Sequence, residues 1–377
     1  MSDKKLTILG VVAVIAIAAA IGTNQISKPR QSSNLVIGPL VGGLDVDQIA
    51  KITISGEKGT QKTTLSRNEG RFVIVEKDNY PAGVKKVNEM VGQCLDIRTA
   101  ELRTEDPAFH KDLGVTEDSA KSVITLWDAE NKPIVGIFVS ESDEQGKGAY
   151  VRLASENKVY LTLNSPWISA MPMDYVDKEI LKVNSGKIVE ATITDPNQHT
   201  YTLQSKDGGK TITSSRTLPA GKQLKESDCK RLFTAPGGIQ IEDVVAANKV
   251  EGLKLDRRYV CKLDDSTVYT FQLGEKDKKT WLAAAAEFTD AEPVTKKKGV
   301  VESEEQLKAK EAKLLARDAA ERFAKKTIGW LYVITDYTAA ELKKKMPDLV
   351  EDIPPEAKKA DPNQPKPAAV SPQKLAP

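Results

Sequence analysis

The sequence predicts an α+β protein: two tandem domains of mostly antiparallel sheet with packed helices, after a single N-terminal transmembrane helix. Three observations carry that expectation. A charge-free apolar run at residues 6–22 follows the basic start MSDKK. Short strands of alternating apolar and polar residues, broken by amphipathic helical stretches, fill most of what remains. One element order is also written twice. NKVYLTLNSPWISAMPMDYVD (157–177) and GWLYVITDYTAAELKKKMPDLVED (329–352) both read as apolar strand, small-residue turn, helical stretch, Met-Pro and acidic close.

At about 1.5 Å per residue the run LTILGVVAVIAIAAAIG spans about 25 Å, close to the hydrocarbon thickness of a bilayer. Lys4 and Lys5 on its N-terminal side place that end in the cytoplasm and the remainder outside. Residues 1–22 therefore read as an uncleaved anchor, with a signal peptide cut near AIAAAIG as the competing reading. In either reading residues 30–377 lie outside the cytoplasmic membrane; the anchor places the chain at the bacterial inner membrane, single-pass, with its bulk on the periplasmic or extracytoplasmic side. Residues 23–43, rich in Ser, Gly, Pro and Asn, read as a linker.

The first repeat domain is expected over residues 44–181. Ala50, Ile52 and Ile54 alternate with Lys51, Thr53 and Ser55, the period-two pattern of a half-buried strand. Strands around 63–67 and 71–76 flank NEG (68–70), whose residues suit a hairpin turn. The period then changes: Val84, Val87, Met90, Val91, Cys94 and Leu95 recur at three and four and predict a helix with one apolar stripe. EDPAFHKDLGV (105–115) reads as a short helical turn closed by Gly114. SVITLWD, PIVGIFVS, AYVRLA and KVYLTL follow as four strands, and Ser165 opens a closing helix.

The second repeat domain, residues 182–352, writes the same β-β-β-α-β-β-β-β-α order, from KIVEATITD through the helix of Cys229 to WLYVITDY and TAAELKKKMP. It differs by an insertion at 288–327. Ser303 and Gln306 there form a capping-box pattern, and Leu307, Leu314, Leu315, Ala319 and Phe323 draw a narrow apolar stripe on a charged helix of about 24 residues. Those five residues are the candidate partner-docking surface, set against a simpler reading as a solvated arm of ion pairs. Residues 353–377, rich in Pro, Lys and Ala, cannot bury a core and are expected to be a disordered tail.

Catalytic chemistry is hard to find. With 55 basic and 53 acidic residues, no net field recommends nucleic acid as a partner. His110 and His199 stand in separate turns, the first expected to be exposed, and lack metal-ligand spacing, so no metal and no cofactor is expected. GGKT (208–211) resembles the end of a phosphate loop, but Gln204 stands where the first glycine belongs, so a hairpin turn is expected and no nucleotide partner. Cys94, Cys229 and Cys261 read as small buried thiols; Lys230 and Arg231 beside Cys229 would lower its pKa were they close to the sulfur. Trp127, Trp167, Trp281 and Trp330 read as core or sheet-packing residues.

Tyr80-Pro81-Ala82, Leu113-Gly114, Tyr150-Val151-Arg152 and Val159-Tyr160 stand in an order that resembles a bacterial family named only as the domain of unknown function numbered 4340. The resemblance covers residues 44–180 well and 186–350 weakly. It implies a short membrane segment and a non-enzymatic role beside ABC-type export systems of the gliding-motility auxiliary kind, and it carries over no catalytic residues. The expected function is that of a membrane-anchored envelope scaffold or accessory subunit with protein partners, possible chemistry being confined to the alternative of a ligand-binding protein or hydrolase with a cleft between its domains.

Overall fold

In a computed structural model, residues 35–56, 59–142, 146, 148–295 and 302–353 are described. The expected anchor at 6–22 and residues 354–377 of the expected tail lie outside them. Among the described residues no helix is long and apolar enough to cross a membrane. The chain divides into two units, Met1–Lys178 and Glu179–Pro377, three residues ahead of the expected boundary.

Unit 1 contains β1 (Leu35–Pro39), β2 (Lys51–Gly56), β3 (Lys62–Asn68), β4 (Arg71–Ile74), β5 (Tyr80–Pro81), α1 (Val84–Leu95), β6 (Arg98–Thr104), β7 (Ser122–Trp127), β8 (Pro133–Ser142), β9 (Ala149–Leu153) and β10 (Val159–Thr162). Its sheet runs β1-β6-β10-β9-β8-β7-β2-β3-β4-β5. Strand β2 is central, with Thr53 opposite Thr64 of β3 on one side and Thr125 of β7 on the other. Its pleat turns Ile52 and Ile54 into the core, where they meet Leu65, Ile124 and Leu126, all fully buried. Each such aliphatic side chain contributes about 1.5–3 kcal/mol by leaving water. The β3–β4 hairpin turns through Glu69 and Gly70, both with positive φ (48° and 79°), the backbone that matches the twist of paired strands.

Unit 2 contains β11 (Glu179–Leu181), β12 (Ile188–Thr194), β13 (Thr200–Gln204), β14 (Thr213–Ser214), β15 (Lys222–Leu224), α2 (Glu226–Thr234), β16 (Ile239–Ala246), β17 (Arg257–Leu263), β18 (Thr267–Lys276), β19 (Lys279–Phe288), α3 (Glu304–Thr327), β20 (Trp330–Ile334), α4 (Asp336–Leu342) and β21 (Val350–Asp352). Its main sheet runs β11-β16-β20-β19-β18-β17-β12-β13-β14, and β15 pairs with β21 apart from it. Place by place this is the order of unit 1: β11 stands where β1 stands, β16 where β6 stands, and so on to β14 and β4. The one long departure is the β19–β20 connection, which carries α3 where β9 and β10 are joined by a short turn.

Two kinds of element differ from the sequence expectation. A strand follows the domain helix in each unit, and neither was expected. In β6 (RTAELRT) only Thr99 is buried, so no apolar face announces it. The closing helix expected from Ser165 does not form: residues 163–171 are irregular and lead into a 3-10 turn at Pro172–Tyr175. Pro172 holds Met171 extended (ψ 122°), and with Pro166 it leaves too little chain between them to nucleate a helix. Unit 2 has no such constraint before Pro347, and Thr335 caps α4 by accepting from the Thr338 N–H.

Candidate interaction surfaces

Three of the four motifs that carry the family resemblance, Leu113-Gly114, Tyr150-Val151-Arg152 and Val159-Tyr160, meet at a loop clamp, while Tyr80-Pro81 forms β5 at the far edge of the sheet. Phe138 and Val159 pack with Val115 and Ala120, and Leu113 and Tyr150 lean on that cluster. Arg152 lies over the Phe138 ring, 4.4 Å from its centroid, and donates from Nε (3.1 Å) and Nη2 (3.0 Å) to the Val115 carbonyl. Gly114 turns with φ 67°, and a Cβ there would press 3.2 Å from Ser140 Cβ. The Leu-Gly turn and the Tyr-Val-Arg strand are thus two halves of one contact that seals loop 105–120 onto the sheet. His110 belongs to the same seal. It is buried, not exposed as expected, with Nε2 2.9 Å from the Asn157 carbonyl. Short-range sequence reading missed this because the burying strands lie tens of residues downstream.

The nucleophile candidates point inward. All three thiols are free and buried. Burial pushes Cys94 and Cys261 up to about 12. Cys229 rises to about 11, by burial first and the Asp228 charge second, against the lowering that Lys230 and Arg231 suggested. Its Sγ lies 3.7 Å from the Leu349 carbonyl, and it sits four residues past the helix cap at Lys225, whereas Cys94 lies near the end of α1. His199 is exposed, with Nδ1 3.3 Å from Asp195 Oδ2. GGKT lies in the connection between β13 and the antiparallel β14, where Asp207 accepts from the Thr211 N–H at 2.8 Å.

Helix α3 begins at Ser303, whose capping box with Gln306 is formed. Its stripe divides between two faces. Ala316, Ala320, Phe323 and Thr327 are buried against β18 and β19, with Phe323 edge-on to Tyr269 at 5.1 Å. Phe323 is therefore part of the unit's own packing and not a free docking residue. Leu307, Leu314, Leu315 and Ala319 are exposed. The three leucines, with Val294, floor a surface depression edged by Glu311 and Asp318. Lys310 pins the preceding segment by donating to the Thr295 carbonyl at 2.6 Å, and Lys313 pairs with Asp290 at 2.7 Å.

A second surface was not expected at all. Of the four tryptophans, Trp167 is 65% exposed, in the segment that failed to form a helix. It overhangs a groove of about 250 Å³ against α1, lined by Lys86, Glu89, Met90, Gln93, Ile168 and Val176. Leu163 and Met171 on the same segment are exposed too. Asp174 closes the far end. Burial raises its pKa, but hydrogen bonds from Ser169 (2.6 Å) and Lys178 (3.2 Å), with the Lys178 and Lys86 charges, outweigh that and lower it. The signal was the pair of prolines around WISAM.

Residues 73–258 match the model of the family described as Domain of unknown function (DUF4340). No curated protein and no solved structure matches the chain.

Proposed function

We propose, from the premise that the chain belongs to the DUF4340 domain family through residues 73–258, that it is a non-enzymatic envelope protein acting as scaffold or accessory subunit of a membrane complex of the ABC-type transport kind. In this reading residues 6–22 hold it in the inner membrane, the bulk lies on the periplasmic side, and the two units are copies of one domain. The strand order that the two main sheets share, from β1 to β4 and from β11 to β14, supports that copying.

The observation that carries the role is the two-faced α3. Its inner face anchors it rigidly to the sheet, and its outer face offers Leu307, Leu314 and Leu315 to solvent. Three exposed leucines on a firmly held helix are costly unless covered. Glu311 and Asp318 among them favour a partner helix whose apolar face is edged by Lys or Arg. Buried thiols with raised pKa values, and a His110 spent on a backbone carbonyl, favour a scaffold over a hydrolase.

Tagged full-length chain, solubilised from its native membranes, tests this. The wild type is expected to recover the ATP-hydrolysing and membrane-spanning subunits of one transporter, identified by mass spectrometry. Leu307→Glu with Leu314→Glu is expected to lose them while the thermal unfolding of both units stays in place. Recovery of no such subunits, or equal recovery by the variant, overturns the proposal.

A further inference from the structure

The segment after β10 crosses one end of the unit 1 sheet, meeting the strands in sheet order. The Leu163 N–H donates to the Arg98 carbonyl at the start of β6 (3.1 Å). Ser142, the last residue of β8, donates from its hydroxyl to that of Ser165 (3.2 Å). Ser122, the first of β7, donates to the Ile168 carbonyl (3.1 Å). At the end of β2 a Cβ on Gly56 would stand 3.3 Å from Ala170 Cβ, and Thr63 of β3 donates to the Ala170 carbonyl (2.7 Å). Residues 163–171 are therefore a belt, irregular in backbone but fastened to the ends of five strands.

The belt has two faces. Ile168 and Ala170 are buried on the sheet side. Leu163, Trp167 and Met171, each four residues from the next, are 56%, 65% and 48% exposed. No charged residue stands anywhere from Val159 to Met173, in a chain of which 29% is charged. A solvated row of large apolar residues on a firmly held segment marks a contact with a protein or a membrane. The corresponding segment of unit 2, after β20, is of another kind. TDYTAAELKKK (335–345) carries Asp336, Glu341 and three lysines, and it folds into α4. The uncharged belt thus belongs to the unit that the apolar run at 6–22 precedes. Leu35 of β1 stands thirteen residues on from Gly22, the end of that run, and so no more than about 45 Å from it.

We propose, resting on the reading of residues 6–22 as an anchor, that the belt of unit 1 lies in the interface of the membrane that holds the chain. Trp167 sits between headgroups and acyl chains, with Leu163 and Met171 to either side. Tryptophan suits that depth, because its ring is apolar and its N–H polar. A segment without charge enters it without stripping water from an ion. The belt needs little affinity of its own, since the short tether makes the contact intramolecular. Seated in this way, it fixes how unit 1 stands on the bilayer. The outer face of α3 takes no part, so the two surfaces can fail separately.

Tryptophan fluorescence tests this. Full-length chain is reconstituted into vesicles of phosphatidylethanolamine and phosphatidylglycerol, with or without lipid brominated near the headgroup end of its acyl chains. The brominated lipid is expected to quench up to about a quarter of the emission, the share of one tryptophan in four, and to quench none of it in Trp167→Phe. Leu163→Glu with Met171→Glu, both on the surface, is expected to abolish the quenching at an unchanged unfolding temperature, while residues 6–22 still float the chain with the vesicles. Wild type that floats without quenching leaves the belt to a protein partner and overturns this proposal alone. Quenching that persists in Trp167→Phe or in the folded glutamate variant overturns it too. A chain that does not float with the vesicles removes the anchor, and this proposal with it.

Discussion

Replacing Phe323 by alanine separates the two faces of α3 by their energetics. Phe323 is 8% exposed and meets Tyr269 edge-on, with ring planes at 89°. Truncating a buried Phe to Ala costs about 3–5 kcal/mol, of which roughly 1 belongs to the aromatic pair. A helix lying on a sheet can settle into part of the vacated space, so the lower end, about 3 kcal/mol, applies. For a unit of this size each kcal/mol moves the midpoint by about 2–4 °C, which gives a drop of about 6–12 °C. Leu314→Ala, on the outer face at 49% exposure, should change stability by less than about 0.5 kcal/mol. Scanning calorimetry of the full chain in detergent should show the unit 2 transition falling in Phe323→Ala alone, with the unit 1 transition unmoved. Equal shifts for the two variants, or none for Phe323→Ala, would refute the assignment of the inner face.

Three further outcomes are expected. With pKa values pushed to about 11 and 12, Cys229, Cys94 and Cys261 should resist a thiol reagent at pH 8 in the native chain and all react in guanidinium; modification of a native thiol within minutes contradicts their burial. Gly274→Ala should destabilise unit 2 by more than about 2 kcal/mol in denaturant titration, because its Cβ would stand 2.1 Å from the Lys254 carbonyl and push that loop off the Trp281–Leu331–Val333 cluster; a neutral effect would mean the loop yields freely. The hydrogen bond and charge of Lys344, with Arg231, hold the Asp228 carboxyl below its ordinary 3.8. Its contribution to stability is therefore complete above that value and lost as pH falls through the lower folded value. Asp228→Asn should flatten the acid-side loss of unit 2 stability below pH 4, and an unchanged acid limb would mean that Lys344 and Arg231 do not hold it.

Much of the sheet was legible because pleat and burial share a period. Ile52 and Ile54, or Tyr269, Phe271 and Leu273, declare a buried face without outside help. Legibility failed where burial came from elsewhere in the chain. β6 is held by neighbours on both sides and needs no apolar face of its own, and His110 is covered by strands that follow it. The stripe on α3 was found but read as one surface, since residue spacing alone does not say which side meets the sheet. The groove of unit 1 was missed for the opposite reason. Trp167 was taken for a packing residue, whereas Pro166 and Pro172 keep its segment from forming a helix and its indole stands 65% exposed.

The family match begins at Val73, inside the first sheet, and stops at Arg258, two residues into β17. A fragment cut at those bounds would lose β2 and β3, and with them the partner that covers the edge of β7. It would also lose β18, β19 and β20, leaving β16 stranded from β12. Several long strand edges would be bare at once, the condition under which chains pair with one another and precipitate. The stretch by which the family is recognised thus cuts through both sheets; pieces that keep each sheet whole end near residue 178 or begin near residue 179.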